Sequence, residues 1–208
     1  MPMVRPKLRM EQGDNSPEIE IFFIFLSNGC GKMVPAPQLS MCPEVKDRAA
    51  CKPGGYNVAV TSVVRDYKAE DFALLWRMDQ ECFPPGISYS KQELKSYIGH
   101  RGSFTLVATD GPEGEIQGFI IGHCATTGHI ITIDVSHLAR RSGVGSFLLR
   151  AAEDRMHHAG CHWVGLETAV DNVTALSFYK RHGYNVIRTW PRYYSNGVDA
   201  LVLRKELA

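Results

Sequence analysis

Two arginines and two glycines stand together in Arg140-Arg141-Ser142-Gly143-Val144-Gly145-Ser146. The β-branched run Ile130–Val135 precedes them and the apolar stretch Phe147–Leu149 follows. A strand that turns through glycines into a helix start offers free backbone N–H groups and the positive end of a helix dipole, which together hold phosphate. The amides of Arg141, Gly143, Val144, Gly145 and Ser146 would point at such a group. Gly143 and Gly145 lack the Cβ atoms that would block its approach. Arg140 and Arg141 add positive charge at the same spot. The expected chemistry is a grip on a pyrophosphate-bearing cosubstrate.

Two ordinary nucleotide motifs do not fit. A Walker loop requires a Lys after its last glycine, and Ser146 follows Gly145. A dinucleotide fingerprint requires a third glycine, and Leu148 stands there, with no long βαβ alternation around it.

Arg140-x-x-Gly143-x-Gly145 after a strand ending in Val135 resembles the acetyl-CoA signature, [Q/R]-x-x-G-x-[G/A], of the GCN5-related N-acetyltransferases, the GNAT family. The likeness runs on through Leu166-Glu167, through Asn172 at a helix start, and through Phe178-Tyr179-Lys180-Arg181-His182-Gly183-Tyr184. Cys82-Phe83-Pro84-Pro85 and the pair Tyr193-Tyr194 are similar to the ribosomal-protein-alanine N-acetyltransferases and related protein N-terminal acetyltransferases. The resemblance covers roughly residues 58 to 207. Two positions depart from the subgroup: His137 and Ser195 stand where proline is common.

The resemblance implies the division of labour. Acetyl-CoA is the cosubstrate, held by Arg140, Arg141, Gly143, Val144, Gly145 and Ser146. Its pantetheine arm lies between two parted strands, steadied at Val135 and by Asn172, whose ordinary role is a helix N-cap. Glu167 is the base and Tyr179 the acid that returns a proton to the thiolate. A carboxylate acting through water suits an α-amine of pKa about 7.7–8.0 better than a lysine near 10.4. Tyr193 and Tyr194 bond the peptide's N-terminal backbone, and Phe83, Pro84 and Tyr89 form the opposite wall. The acceptor implied is a protein or peptide N-terminus, a ribosomal protein among the candidates. Two other functions compete: acetylation of a small-molecule amine or a Lys side chain, and acyl-CoA binding without turnover. The paired hairpin tyrosines favour a peptide, and the presence of both Glu167 and Tyr179 favours turnover.

The elements that must position these groups follow from periodicity. Val58–Arg65 reads as a strand and Asp66–Glu81 as a helix. Ser90, with Glu93 three residues on, caps a helix to Ile98. Ser103–Thr109 and Glu115–Cys124 form a hairpin, His129–Val135 leads into the glycine turn, and Gly143–Ala159 is a long helix. His162–Thr168, a helix Asn172–His182 ended by Gly183, and a hairpin of Tyr184–Trp190 with Asp199–Arg204 complete the order β-α-α-β-β-β-α-β-α-β-β. The fold class expected is α/β: a mixed, mostly antiparallel sheet with its central strands splayed, as in GNAT proteins.

At 208 residues the chain fits one domain plus an extension. Residues 1–57 carry seven prolines and no sustained pattern, and Lys52-Pro53-Gly54-Gly55 breaks the chain. They are expected to form a poorly ordered extension with one short strand near Ile19–Leu26; translation from upstream of the true start is left open as their origin. Residues 58–208 are expected to be the catalytic domain. The apolar run Ile21–Leu26 is too short to span a bilayer or to serve as a signal core, so no membrane partner is expected. A net charge of +1 gives no reason to expect nucleic acid. The six cysteines form no C-x-x-C, and with no signal sequence a reducing, cytoplasmic setting is expected. His157, His158, Cys161 and His162 are interrupted by Gly160 and share no obvious face, so no metal site is expected.

Overall fold

Phe119, Ile120 and Ile121 occupy successive positions of one strand, and all three are fully buried. Such a strand is covered on both faces. The computed structural model describes residues 62–83, 88–194 and 196–208. The strands are β1 (Ser62–Asp66), β2 (Ser103–Asp110), β3 (Ile116–Cys124), β4 (Gly128–Val135), β5 (Trp163–Ala169), β6 (Asn185–Trp190) and β7 (Ala200–Glu206). The helices are α1 (Phe72–Cys82), α2 (Lys91–Gly99), α3 (Val144–His158) and α4 (Val173–Arg181), with short 3-10 turns at Ala69–Asp71 and His137–Ala139.

The strands form one seven-stranded sheet in the order β1-β2-β3-β4-β5-β7-β6. Every pairing is antiparallel except β4 with β5. The mixed, mostly antiparallel α/β architecture is therefore the one expected. On one face Leu106, Ala108 and Ile120 pack with Leu148, Leu149, Ala152 and Met156 of α3. On the other, Val107, Phe119 and Ile121 pack with Leu75 and Met78 of α1 and Leu94 of α2. Alternation along β2 and β3 thus feeds two cores, one per face.

Two irregularities shape the centre of the sheet. Ile121 opposes Thr132 while Gly122 opposes Ile130, which leaves Ile131 as an extra residue on β4. This bulge turns Ile130 and Ile133, three residues apart, toward the same α3 core. The second is a parting of strands. β4 and β5 pair only at Gly128↔Val164 and His129↔Gly165. From there to Val135 and Ala169 the two strands share no ladder, so a wedge opens toward their C-terminal ends.

The first helix starts later than its periodicity suggests. Residues 66 to 71 are not α-helical, because the Asp71 carboxylate holds them in a turn. It accepts from both Arg65 guanidinium nitrogens at 2.7 and 2.8 Å and from the Lys68 amide at 2.7 Å. α2 begins as its residues indicate: Ser90 Oγ accepts from the Glu93 amide and Glu93 Oε2 accepts from the Ser90 amide. The extension assigned to residues 1–57, with its strand near Ile19–Leu26, lies outside the described residues. Among the described residues no helix is long and apolar enough to cross a membrane.

Candidate active site at the parted strands

The wedge is flanked by two helix starts. α3 begins just after β4 and α4 just after β5. Ligands in open sheets collect at such strand ends, where helix N-termini present their amides. The turn into α3 is built for an anion. Arg141 has φ +68° and Gly143, the N-cap, has φ +97°. Successive N–H groups in such a left-handed turn form a concave nest. A Cβ built on Gly143 would meet nothing within 4 Å, so the space in front of it is open. A Cβ on Gly145 would stand 3.6 Å from both Phe178 and Val135, so this glycine lies where β4, α3 and α4 meet. Val144 is buried beneath the turn. Ser146 is partly buried in the first turn of α3.

Arg140 is turned away from that nest. Its Nε donates to the Val135 carbonyl at 3.3 Å, and its other arm lies 3.6 Å from Cys82 Sγ. Its side chain braces the end of β4 against α1, so charge at the nest comes from Arg141, which is exposed. Across the wedge, Asn172 caps α4: its Oδ1 accepts from the Ala175 amide at 3.1 Å. Its Nδ2 is buried and has no hydrogen-bond partner among the described residues. An orphaned buried donor is costly unless a ligand satisfies it. The open glycine nest, the parted strand edges and this donor fit the pyrophosphate and amide-bearing arm of a coenzyme-A thioester.

Glu167 projects from β5 on the face opposite α3, since its neighbour Leu166 points into the α3 core. Its side chain is 6% exposed, and His129 Nε2 stands 3.1 Å from its Oε2. Burial lowers the affinity of His129 for a proton, but the charge and hydrogen bond of Glu167 outweigh this and raise the imidazole above its ordinary pKa. Tyr193 and Tyr194 follow β6 near the same carboxylate. Both phenols are pushed up, first by burial and then by the Glu167 charge. The Tyr194 hydroxyl is buried and unpartnered among the described residues. Tyr89 and Tyr97, with rings 5.0 Å apart, also bear on Tyr193. Tyr89 is anchored there by its amide, which donates to Asp79 Oδ2 at 2.8 Å. Phe83 is buried in the α1–α2 core. Pro84 lies outside the described residues.

Tyr179 belongs to α4 and bears on Tyr194. It is buried on α4, with its ring 5.2 Å from Phe178 and 5.4 Å from Tyr184. Phe178 packs at the Gly145 turn, so its neighbour Tyr179 is tied to the same junction. The structure thus gathers Glu167, Tyr193, Tyr194 and Tyr89 into one group and the glycine turn, Asn172 and the Phe178-Tyr179 pair into another, and the two meet where Tyr179 bears on Tyr194. Tyr97 and His129 are additions that periodicity does not reveal. The one legible signal is that His123 and His129 sit symmetrically about the β3–β4 turn, where they face each other.

The acetyltransferase (GNAT) family model matches residues 72–184. An N-acetyltransferase of Methanocaldococcus jannaschii is 36% identical over 146 residues, 69% of this chain and 91% of the relative. N-alpha-acetyltransferase 30 of Schizosaccharomyces pombe is 34% identical over 118 residues, 54% of this chain and 77% of the relative. The crystal structure of Ard1 from Thermoplasma volcanium superposes with a TM-score of 0.65 at 25% identity, covering 72% of this chain and 99% of that one.

Proposed function

The chain belongs to the GNAT acetyltransferase family and is an N-acetyltransferase; from that premise we propose that it acetylates the α-amine at the N-terminus of a protein or peptide, with acetyl-CoA as donor. Members of the family use acetyl-CoA. It supplies the acetyl group already activated as a thioester. The relative named N-alpha-acetyltransferase 30 supports the α-amine class of acceptor.

One observation carries the reading: a nearly sealed carboxylate, Glu167, is backed by His129 and sits among Tyr89, Tyr97, Tyr193 and Tyr194. Tyrosines present rigid apolar faces with polar tips, which suits a short backbone segment and its first side chain. Glu167 takes the ammonium proton. An α-amine near pKa 7.7–8.0 yields it to a carboxylate and water far more readily than a lysine near 10.4 does. The amides of Arg141, Gly143, Val144, Gly145 and Ser146 hold the pyrophosphate. Asn172 Nδ2 donates to the pantetheine arm, and the backbone at Val135 lines the slot. Tyr179 donates its phenolic proton toward the departing sulfur. Holding both partners in one wedge supplies much of the acceleration by orientation alone.

The test is a peptide panel incubated with acetyl-CoA, read by free thiol and by mass. N-terminally blocked peptides that keep a free lysine are the control. Peptides with free α-amines, ribosomal N-termini among them, should gain one acetyl group. Acetylation confined to the blocked, lysine-bearing peptides, or no acetylation of any peptide, overturns the proposal.

A further inference from the structure

The sheet face opposite α3 is covered over only part of its width. Val107, Phe119, Ile121 and Ile131 of β2, β3 and β4 lie under α1 and α2, and among the described residues none of β5, β6 or β7 belongs to that core. A Cβ built on Gly165 of β5 would meet only the Leu203 carbonyl of the neighbouring strand, at 3.6 Å. No described side chain or helix therefore lies against that position.

The ladders say what this open face carries. Directly opposed residues of an antiparallel pair share a face. Glu167 opposes Val202, and Val202 opposes Arg188 on β6. Gly165 opposes Arg204, and Trp163 opposes Glu206. Trp163, Gly165 and Glu167 alternate along β5, so all of these residues share the Glu167 face. The row beyond Glu167, formed by Ala169, Ala200 and Trp190, packs with Tyr193 and Tyr194. The face is thus open from Glu167 back toward the start of β5.

Two arginines border it. The Arg204 guanidinium stacks on Trp163, 4.1 Å from the ring centroid. Arg188 is exposed. Among the described residues neither guanidinium has a carboxylate partner. Glu206, exposed at the far end beside Trp163, is the acidic strand residue of this face besides Glu167. An arginine laid on an indole is held in place with its N–H edge still free for a carboxylate. Gly165 leaves a floor on which an extended backbone can lie close.

We propose that this face binds the acceptor's downstream segment and selects an acidic residue at about its third or fourth position, paired with Arg204 and Arg188. The glycine turn and Asn172 belong to the starts of α3 and α4, which both pack on the other face. A cosubstrate held there leaves the open face to the peptide. Arg204 is the diagonal neighbour of Glu167 across the β5–β7 ladder, about 7–8 Å away between Cα atoms. An extended residue advances about 3.3 Å, so a chain whose amine meets Glu167 reaches Arg204 within three or four residues. Arg188 and Arg204 lie one and two strands from Glu167's own, far enough from its carboxylate for a second negative charge to be held without facing it.

This inference rests on the α-amine reading, and its test separates the two. Peptides that differ only at the third and fourth residues, carrying Asp-Glu, Asn-Gln or Lys-Lys, are compared as acceptors for wild type, Arg204→Gln, Arg188→Gln and the double variant. Wild type should prefer the acidic peptide over its amide counterpart by about threefold to tenfold in kcat/KM, the scale of two exposed ion pairs. The preference should sit in KM rather than kcat and should fade in about 0.5 M salt. Each substitution should shrink it, and the double variant should abolish it. Equal use of the peptides by wild type, or a preference that survives both substitutions, overturns the proposal. Arg188→Gln carries the test if Arg204→Gln does not fold.

A second arm requires no turnover. The same peptides, labelled at their C-termini, are titrated with the protein and coenzyme A and followed by fluorescence anisotropy. Tighter binding of the acidic peptide is expected, and equal affinities overturn the proposal. Arginine-dependent binding of an RNA oligonucleotide, with no discrimination among the peptides, overturns it in favour of a nucleic-acid surface. A wild-type protein that binds the acidic peptide more tightly but acetylates no α-amine overturns the choice of acceptor amine and leaves the charge selection standing.

Discussion

The His129 imidazole and the Glu167 carboxylate meet at 3.1 Å where β4 and β5 cease to pair. The last ladder contact, His129 with Gly165, brings the histidine beside β5. Glu167, two residues further on the same face, then reaches back to it. Carboxylate and imidazole are therefore held by the sheet rather than by a loop.

Glu167→Gln should lower kcat by about 10²-fold or more, with little change in acetyl-CoA affinity. Raising the pH should recover part of the loss, because more of the amine is already neutral. Tyr179→Phe should also lower kcat, toward the weaker end of the acid–base range of about 10²–10⁴-fold. Raising the pH should not recover that loss, since the missing step is donation. Free-thiol release across pH 6–9 separates the two; near-wild-type turnover in both variants would leave catalysis to positioning alone.

The same pair makes stability depend on pH. The raised pKa of His129 means that the folded state binds its proton more tightly than the unfolded chain does. The resulting stabilisation is fully present below the unfolded value of about 6.5 and fades as pH rises through the higher folded value. The difference in Tm between wild type and His129→Gln should therefore be largest near pH 6 and shrink toward pH 9. A constant difference across that window would show that the two side chains do not share a proton.

Gly145→Val should remove acetyl-CoA binding and leave the fold intact. Its Cβ enters ordinary contact with Phe178 and Val135, so local packing can absorb it. The added methyl groups would fill the junction of β4, α3 and α4, where the cosubstrate is proposed to lie. Calorimetry with acetyl-CoA, set beside a thermal melt, reads both. Unchanged affinity would remove the basis for placing the cosubstrate there.

A chain beginning near Tyr56 should keep full activity. Every residue assigned to the site, and all seven strands of the sheet, lie from Ser62 onward. Comparison of kcat and KM for the short and full chains checks this; a folded but inactive short chain would place residues 1–57 in the enzyme.

The glycine turn, the helix caps and most element boundaries were legible in the sequence because they depend on near neighbours. Gly143 at φ +97° and the reciprocal Ser90–Glu93 bonds are decided within a few residues. Asp66 to Asp71 misled, because the pairing of Arg65 with Asp71 overrides a helical apolar pattern. The direction of the Arg140 side chain was also hidden: its partners are the end of β4 and a cysteine on α1. His129 carried no mark as the partner of Glu167. Periodicity shows which face of a strand a residue takes, but not which strand lies beside it or where two strands part. Those choices come from the parallel β4–β5 register, the bulge at Ile131 and the insertion of β7 between β5 and β6. They are set by the simultaneous packing of both sheet faces, which no local window of the chain contains.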